Sequence, residues 1–151
     1  MTIKLLRSNL LFLLLMFSAI MSYAQQDSAY IRDNYIKYEY KIAMRDGAKL
    51  FTEVYVPKDN SKKYPIMLHR TPYSVGPYGK EKYKTSLGPS SEFVKEGFIF
   101  AYQDVRGKFM SEGSYEDIRP FNPAKKGTEI DEASDAYDTV NWLVKNVPNT
   151  N

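Results

Sequence analysis

Two short apolar runs, separated by a helix-like segment, constrain the fold of this chain more than any other feature. Residues 65–68 (Pro-Ile-Met-Leu) and residues 98–102 (Phe-Ile-Phe-Ala-Tyr) carry no charged side chain, as is typical of strands buried on both faces of a sheet. Between them Ser91 can cap a short helix through Lys95, and Gly97 suits the left-handed turn at a helix C-terminus. This order predicts two parallel strands joined by a helical crossover.

An antiparallel hairpin is predicted upstream of these runs. Residues 38–44 and 50–56 both alternate side-chain character at period two, and Arg45-Asp46-Gly47 between them supplies a turn. Pro57 ends the second strand because it lacks a backbone donor. The expected fold is therefore an α/β layered domain with a mixed sheet, which is antiparallel at its start.

The clearest helical pattern covers residues 128–147, with Thr128 as the expected N-cap and Pro148 directly after the end. The predicted apolar face consists of Ile130, Ala133, Tyr137, Val140, Val144 and Val147. Asp131, Asp135 and Asp138 fall on another face. Because no histidine or EF-hand spacing accompanies them, a solvated helix face is a better interpretation than a metal site.

The first 24 residues have the three parts of a secretory signal peptide. Lys4 and Arg7 precede an uncharged run over residues 10–21, and Ser22 and Ala24 are small enough for signal peptidase at positions −3 and −1. We expect cleavage after Ala24 and a periplasmic or extracellular protein. The alternative is a membrane anchor, but the apolar run is shorter than the roughly 20 residues that span a bilayer.

The composition of residues 25–151 argues against nucleic-acid binding and against covalent links through cysteine. Without Lys4 and Arg7 the chain has 19 basic and 18 acidic residues, so it lacks the excess of cations that nucleic-acid binding requires. It has no cysteine, which excludes disulfides and a lipid-modified N-terminal cysteine. The chain has 13 tyrosines, all but Tyr23 in this part, and they suit strand faces or an aromatic binding surface.

The segment directly after the first apolar run is His69-Arg70-Thr71-Pro72-Tyr73. Here the chain resembles the family of X-prolyl dipeptidyl-peptidases, cocaine esterase and α-amino-acid ester hydrolases, whose members carry Arg-x-Pro-Tyr after this strand. The similarity continues through residues 46–57, 103–107, 111–113 and 138–143. It implies an α/β-hydrolase-type mixed sheet and a serine hydrolase that cleaves an ester or amide bond through an acyl-enzyme. The implied substrate is a small ester, an amino-acid ester or a peptide with proline in second place, and no metal or organic cofactor is implied.

The resemblance implies that Tyr73 is the oxyanion-hole hydroxyl. A phenol is a neutral donor of fixed reach, and Pro72 stiffens the backbone that carries it. The alternative is an ordinary loop tyrosine that packs on its neighbours.

Other polar residues near the predicted strand ends have more modest expected roles. Asp104 and Arg106 could shape a pocket floor, but a local ion pair that fixes the turn before Gly107 is favoured. Residues 111–114 are predicted to form a turn. His69, the single histidine, is expected to be packed and hydrogen-bonded rather than catalytic.

A nucleophile is not found, because the sequence contains no Gly-x-Ser-x-Gly and Gly113-Ser114-Tyr115 follows no buried strand. We therefore expect residues 25–151 to be the N-terminal part of a catalytic domain whose Ser, Asp and His lie beyond residue 151, inactive alone and with an exposed sheet edge. The alternatives are a secreted, non-catalytic binding module and an inactive truncated relic. The loops over residues 73–89 and 105–126 are long enough to be functional.

Overall fold

The computed structural model describes residues 28–151, so the predicted signal peptide lies outside the described residues. A mixed four-stranded sheet is combined with helices on both of its faces. The elements are α1 (residues 28–34), β1 (Tyr35–Ala43), β2 (Lys49–Pro57), β3 (Ile66–Thr71), α2 (Ser91–Glu96), β4 (Ile99–Asp104) and α3 (Glu132–Asn146). Within residues 28–151, no helix is both long enough and apolar enough to cross a membrane.

The strand order is β1-β2-β4-β3. The β1–β2 hairpin is antiparallel from Tyr35 opposite Pro57 to Ala43 opposite Lys49, β2 and β4 are also antiparallel, and β3 and β4 are parallel. This arrangement confirms the predicted mixed sheet with its N-terminal hairpin. It also confirms the parallel pair joined by a helical crossover.

The sheet is covered on both faces by apolar side chains. On the first face, α3 packs over a cluster formed by Ile42, Met44, Leu50, Val54, Val56, Tyr64, Ile99, Ala101, Leu143 and Val147. On the second face, α1, α2 and the loop after β3 contribute to a cluster of Ile31, Tyr35, Tyr55, Leu87, Val94 and Phe100. Because side chains alternate along a strand, neighbouring polar residues of β4 lie on opposite faces. Gln103 points to the first face and Asp104 to the second.

The two apolar runs differ in burial, contrary to the prediction. Ile99, Phe100 and Ala101 of β4 are buried, as expected for a central strand. The side chains of Ile66, Met67 and Leu68 in β3 are only half-buried. The reason is position, since β4 is the single neighbour of β3 among the described residues, which leaves the other edge of β3 open.

The short helix α2 begins one residue earlier than the capping prediction requires. Its N-cap is Ser90 rather than Ser91, and the Ser90 side chain makes no capping hydrogen bond. Gly97 is at the C-cap, as predicted, with a φ of 90°. A Cβ at this position would lie 2.6 Å from Cε1 of Tyr64, so both backbone conformation and space require glycine.

Helix α3 begins three residues later than the sequence pattern predicts. The N-cap is Asp131 rather than Thr128, and it forms a capping box in which its carboxylate accepts from the backbone N–H of Ser134 at 2.7 Å. The Ser134 hydroxyl accepts from the backbone N–H of Asp131 at 2.8 Å. Two backbone donors at the start of the helix are thereby satisfied, which fixes the first turn at Glu132.

The orientation of α3 is also opposite to the prediction. Tyr137, Val140 and Val144 are exposed, whereas Asp135 and Thr139 are fully buried. The carboxylates therefore do not form a solvated face. Asp135 and Asp138 face the sheet because Arg106, after β4, and Arg45, in the hairpin turn, supply their partners there. Asp131 pairs instead with Lys125 in the loop before α3.

Candidate active-site edge at the carboxyl ends of the parallel strands

Tyr73 lies two residues beyond the carboxyl end of β3, where sites collect in open α/β sheets. Its side chain is 78% exposed. Its backbone N–H donates to Oγ1 of Thr71 at 3.1 Å, a local side-chain bond that shapes the turn. Within the described residues the Tyr73 hydroxyl has no hydrogen-bond partner, so it is available to a ligand at this edge.

Asp104 ends the neighbouring strand β4 and connects the two long loops. Its Oδ1 accepts from the backbone N–H of Val75 at 3.0 Å, and its Oδ2 accepts from the Tyr78 hydroxyl at 2.9 Å and from the Met110 N–H at 3.3 Å. Its backbone oxygen accepts from the Ser111 hydroxyl at 2.6 Å. The side chain is fully buried, and all the donors that reach it are neutral.

The predicted ion pair between Asp104 and Arg106 is wrong. Arg106 is buried and points to the other face, where Nε and Nη2 donate to Asp135 at 2.9 and 2.7 Å. Nη1 and Nη2 donate to Asp46 in the hairpin turn at 2.7 and 3.1 Å. These carboxylates, Asp135 first, raise the pKa of Arg106. Burial alone would raise the pKa of Asp46, but hydrogen bonds from Arg106 hold it below its ordinary value.

The loop after Tyr73 is fastened to the second face of the sheet by a buried lysine. Nζ of Lys37, on β1, donates to the backbone oxygens of Pro77 at 2.6 Å, Lys82 at 2.9 Å and Gly79 at 3.1 Å. It also lies 2.9 Å from Oε1 of Glu53 on β2, and both side chains are fully buried. Burial raises the pKa of Glu53, although the ion pair with Lys37 opposes this shift.

A second lysine, Lys84 near the end of this loop, is hydrogen-bonded to the backbone near the start of the loop. Nζ of Lys84 donates to the backbone oxygens of Val75 and Gly76, and it lies 4.7 Å from the centre of the Tyr102 ring. Burial lowers the pKa of Lys84. Lys84 and Tyr102 also line a cavity of about 440 Å³. A larger cavity, of about 530 Å³, lies between α1 and α2, and neither Tyr73 nor Asp104 lines it.

Residues 111–114, predicted to form a turn, are irregular with a bend at Gly113, and they attach the second loop to the start of β2. The Ser111 hydroxyl accepts from the Phe51 N–H at 2.8 Å, and the Glu112 carboxylate accepts from the Lys49 N–H at 3.0 Å. Gly113 has a φ of 89°, and a Cβ there would lie 2.8 Å from Cγ of Arg106. No strand leads into Ser114, which agrees with its exclusion as a nucleophile.

His69 differs from its predicted packed role. It is exposed on β3, with its ring centre 6.1 Å from that of Tyr102, and its imidazole has no hydrogen-bond partner within residues 28–151. In the same range, no three His, Asp or Glu side chains converge as ligands for a metal ion.

Comparison with known proteins identifies the family. Residues 46–151 match the family model described as X-Pro dipeptidyl-peptidase (S15 family). The chain belongs to the S15 family. It is 33% identical over 104 residues to the cocaine esterase of Rhodococcus sp. (strain MB1 Bresler), an alignment that covers 69% of this chain and 16% of the esterase.

Solved structures of related enzymes share the fold of this S15 chain. A selenomethionine-labelled α-amino acid ester hydrolase aligns with a TM-score of 0.66 and 42% identity, and an aminopeptidase from a marine sediment Thaumarchaeota archaeon aligns with a TM-score of 0.66 and 37% identity. Each alignment covers 78% of this chain and 20% of the other. The family resemblance and the α/β-hydrolase fold are thereby confirmed, and the chain spans a fifth or less of these relatives.

Proposed function

We propose that this chain supplies the oxyanion-hole side of an exported serine hydrolase of the X-Pro dipeptidyl-peptidase and cocaine esterase type. The observation that carries the proposal is the exposed Tyr73, which follows the carboxyl end of β3 and has a hydroxyl without a partner among the described residues. Membership of a hydrolase family supports the same reaction class.

In the proposed reaction a histidine takes the proton of a serine hydroxyl as the serine oxygen attacks the carbonyl carbon of an ester or amide, and the carbonyl oxygen becomes negative. Tyr73 and a backbone N–H beside the serine donate hydrogen bonds to that oxygen. The tetrahedral intermediate collapses to an acyl-enzyme, and the leaving alcohol or amine takes a proton from a histidine. Water then adds to the acyl carbon and releases the acid. The serine, its acid and its histidine are assigned to residues that this sequence does not contain.

Three substrate classes fit the proposal: an acyl ester, an α-amino-acid ester, and a peptide with proline in second place. The names of the relatives include an ester hydrolase and an aminopeptidase, which supports esters and peptides alike. No residue described in this chain selects among the three.

Export is part of the proposal, because Lys4, Arg7 and the uncharged run after them have the order of a secretory signal. We expect the mature protein, purified from its native cells, to begin at Gln25. Intact-mass measurement checks this, and a mature protein that retains residues 1–24 would contradict it.

The mechanism is tested by Tyr73→Phe in the gene product of the uninterrupted reading frame that contains these residues. With a p-nitrophenyl ester we expect kcat to fall by about 100-fold, because loss of one oxyanion donor costs about 3 kcal/mol in the barrier. Tyr137→Phe, at a tyrosine 66% exposed on α3, is the matched control and should keep the parent rate.

A Tyr73→Phe variant that turns over as fast as the parent would remove the oxyanion assignment. The reading frame itself separates the rival functions. Codons for Gly-x-Ser-x-Gly within about 20 positions after Asn151 support the hydrolase. A stop codon there, with a soluble and cooperatively folding product, would favour a binding module instead.

A further inference from the structure

The two long loops at the candidate site share one attachment point, the buried carboxylate of Asp104. The loop that follows Tyr73 reaches it through the Val75 N–H and the Tyr78 hydroxyl, and the loop that follows β4 reaches it through the Met110 N–H. The contact to Val75 lies only two residues from Tyr73. The carboxylate is thereby hydrogen-bonded to the loop backbone two residues after the phenol.

We propose that Asp104 is a positioning residue that sets the place of the Tyr73 hydroxyl in the oxyanion hole. This inference rests on the proposed function, since it assigns a purpose to the geometry around Tyr73. Asp104 does not touch the substrate in this scheme. It acts through the peptide unit of Val75, and its effect on the reaction passes through the tyrosine.

The peptide units at Val75 are held from both sides. Asp104 accepts the Val75 N–H, and Nζ of Lys84 donates to the Val75 oxygen. The Val75 side chain is 2% exposed, so packing limits its movement as well. The exposed Tyr73 is thus only two residues from a backbone position that is held in place. Such support allows a loop to present a hydrogen-bond donor at a defined point.

Tyr78 adds a second fixed contact to the same carboxylate. Its hydroxyl donates to Oδ2 of Asp104 and lies 2.9 Å from the Ser74 hydroxyl, next to Tyr73 in the chain. Its ring packs edge-on against Phe51 at 5.3 Å between centres. Replacing Tyr78 by phenylalanine would keep this packing while removing one hydrogen bond to Asp104.

The inference is tested by combining Asp104→Ala with Tyr73→Phe in the same gene product. We expect Asp104→Ala to lower kcat by about 10- to 100-fold with little change in KM, because a small misplacement of a catalytic donor has effects of this size. In the Tyr73→Phe background the same change should have almost no further effect on kcat. Tyr78→Phe, in both backgrounds, gives a milder version if Asp104→Ala does not fold.

The control is Asp138→Asn, another carboxylate that accepts a backbone N–H, from Arg45 at 3.0 Å, but on the other face of the sheet. It should lower thermal stability and leave kcat at the parent value. Equal losses of kcat in the Tyr73 and Tyr73→Phe backgrounds would overturn the positioning role and leave the oxyanion assignment intact. An inactive parent, or an unaffected Tyr73→Phe variant, would overturn both.

Discussion

Arg106 links two elements on the first face of the sheet. One guanidinium reaches the hairpin turn through Asp46 and helix α3 through Asp135. Four hydrogen bonds of 2.7 to 3.1 Å use the planar, forked geometry that distinguishes arginine from lysine. The side chain thereby joins two elements that are distant in the sequence.

We predict that Arg106→Lys destabilises the protein by about 2–4 kcal/mol, although it keeps the positive charge. A single ammonium cannot serve both carboxylates, and breaking one side of a buried ion pair leaves a charge without compensation. Urea denaturation followed by circular dichroism measures the change in unfolding free energy.

The control for this prediction is Arg119→Lys. Arg119 pairs with Glu116 three residues before it; the arginine side chain is 14% exposed, but the Glu116 carboxylate is 61% exposed, so water screens the pair. Pairs of this kind contribute little, so the unfolding free energy should stay within about 1 kcal/mol of the parent. Equal losses of unfolding free energy for the two substitutions would contradict the role given to the forked guanidinium of Arg106.

At the scale of elements, the hairpin and the strand-helix-strand unit could be predicted from the sequence because their signals are local. Period-two alternation, the Asp46-Gly47 turn and Gly97 at a helix end each depend on neighbouring residues. The half-buried state of β3 could not be predicted in this way. Burial of a strand depends on which strands flank it, and the pattern of residues 65–68 carries no record of its neighbours.

Helix α3 shows why amphipathic patterns can point the wrong way. Its valines and tyrosine made an apolar stripe, and its aspartates made a polar one, but the polar stripe faces the sheet. The deciding partners are Arg45 in the turn and Arg106 after β4, which are far from α3 in the sequence. A buried carboxylate is tolerated once such a cation is in place.

Only part of the candidate site can be predicted from the sequence, because most of its contacts join residues that are far apart in the chain. Tyr73 was identified through the family pattern, whereas the contacts of Asp104 and the burial of Lys37 and Glu53 were not. The one available signal was that Lys37 and Glu53 carry opposite charges on adjacent strands of the hairpin. Charged side chains in strands usually face water, so that signal favoured an exposed pair.

At the scale of the whole molecule, carboxylates that are paired with cations make the unfolding free energy depend on pH. Hydrogen bonding to Lys125 lowers the pKa of Asp131, and hydrogen bonding to Arg45 lowers that of Asp138. Asp46 has a lowered pKa as well. A carboxyl group with a depressed pKa stabilises the fold above its ordinary value of 3.8, and this contribution is lost as the pH falls through its folded value. Glu53, whose pKa is raised, contributes with the opposite sign.

We predict that the unfolding free energy is nearly constant from about pH 7 to 5 and decreases below about pH 4. The reason is that five carboxyl groups have a lowered pKa, with Asp59 and Glu92 added to the three above, and they outweigh the one with a raised pKa. Urea denaturation at a series of pH values measures this curve. Asp138→Asn should make the acid-side decrease shallower. Stability that rises on acidification through this range would show that Glu53 dominates instead.

The buried Glu53 also dictates how the strands line up. Along β2 it lies between Thr52 and Val54, whose side chains point to the opposite face. Sliding β2 by one position would exchange the faces, so that the Glu53 carboxylate would enter the apolar cluster around Leu143. Lys37 would lose the nearer of its two carboxylate partners and keep Glu39 at 3.2 Å. A sheet misaligned by one residue thus buries an unpaired carboxylate, and the cost of that burial selects the native alignment.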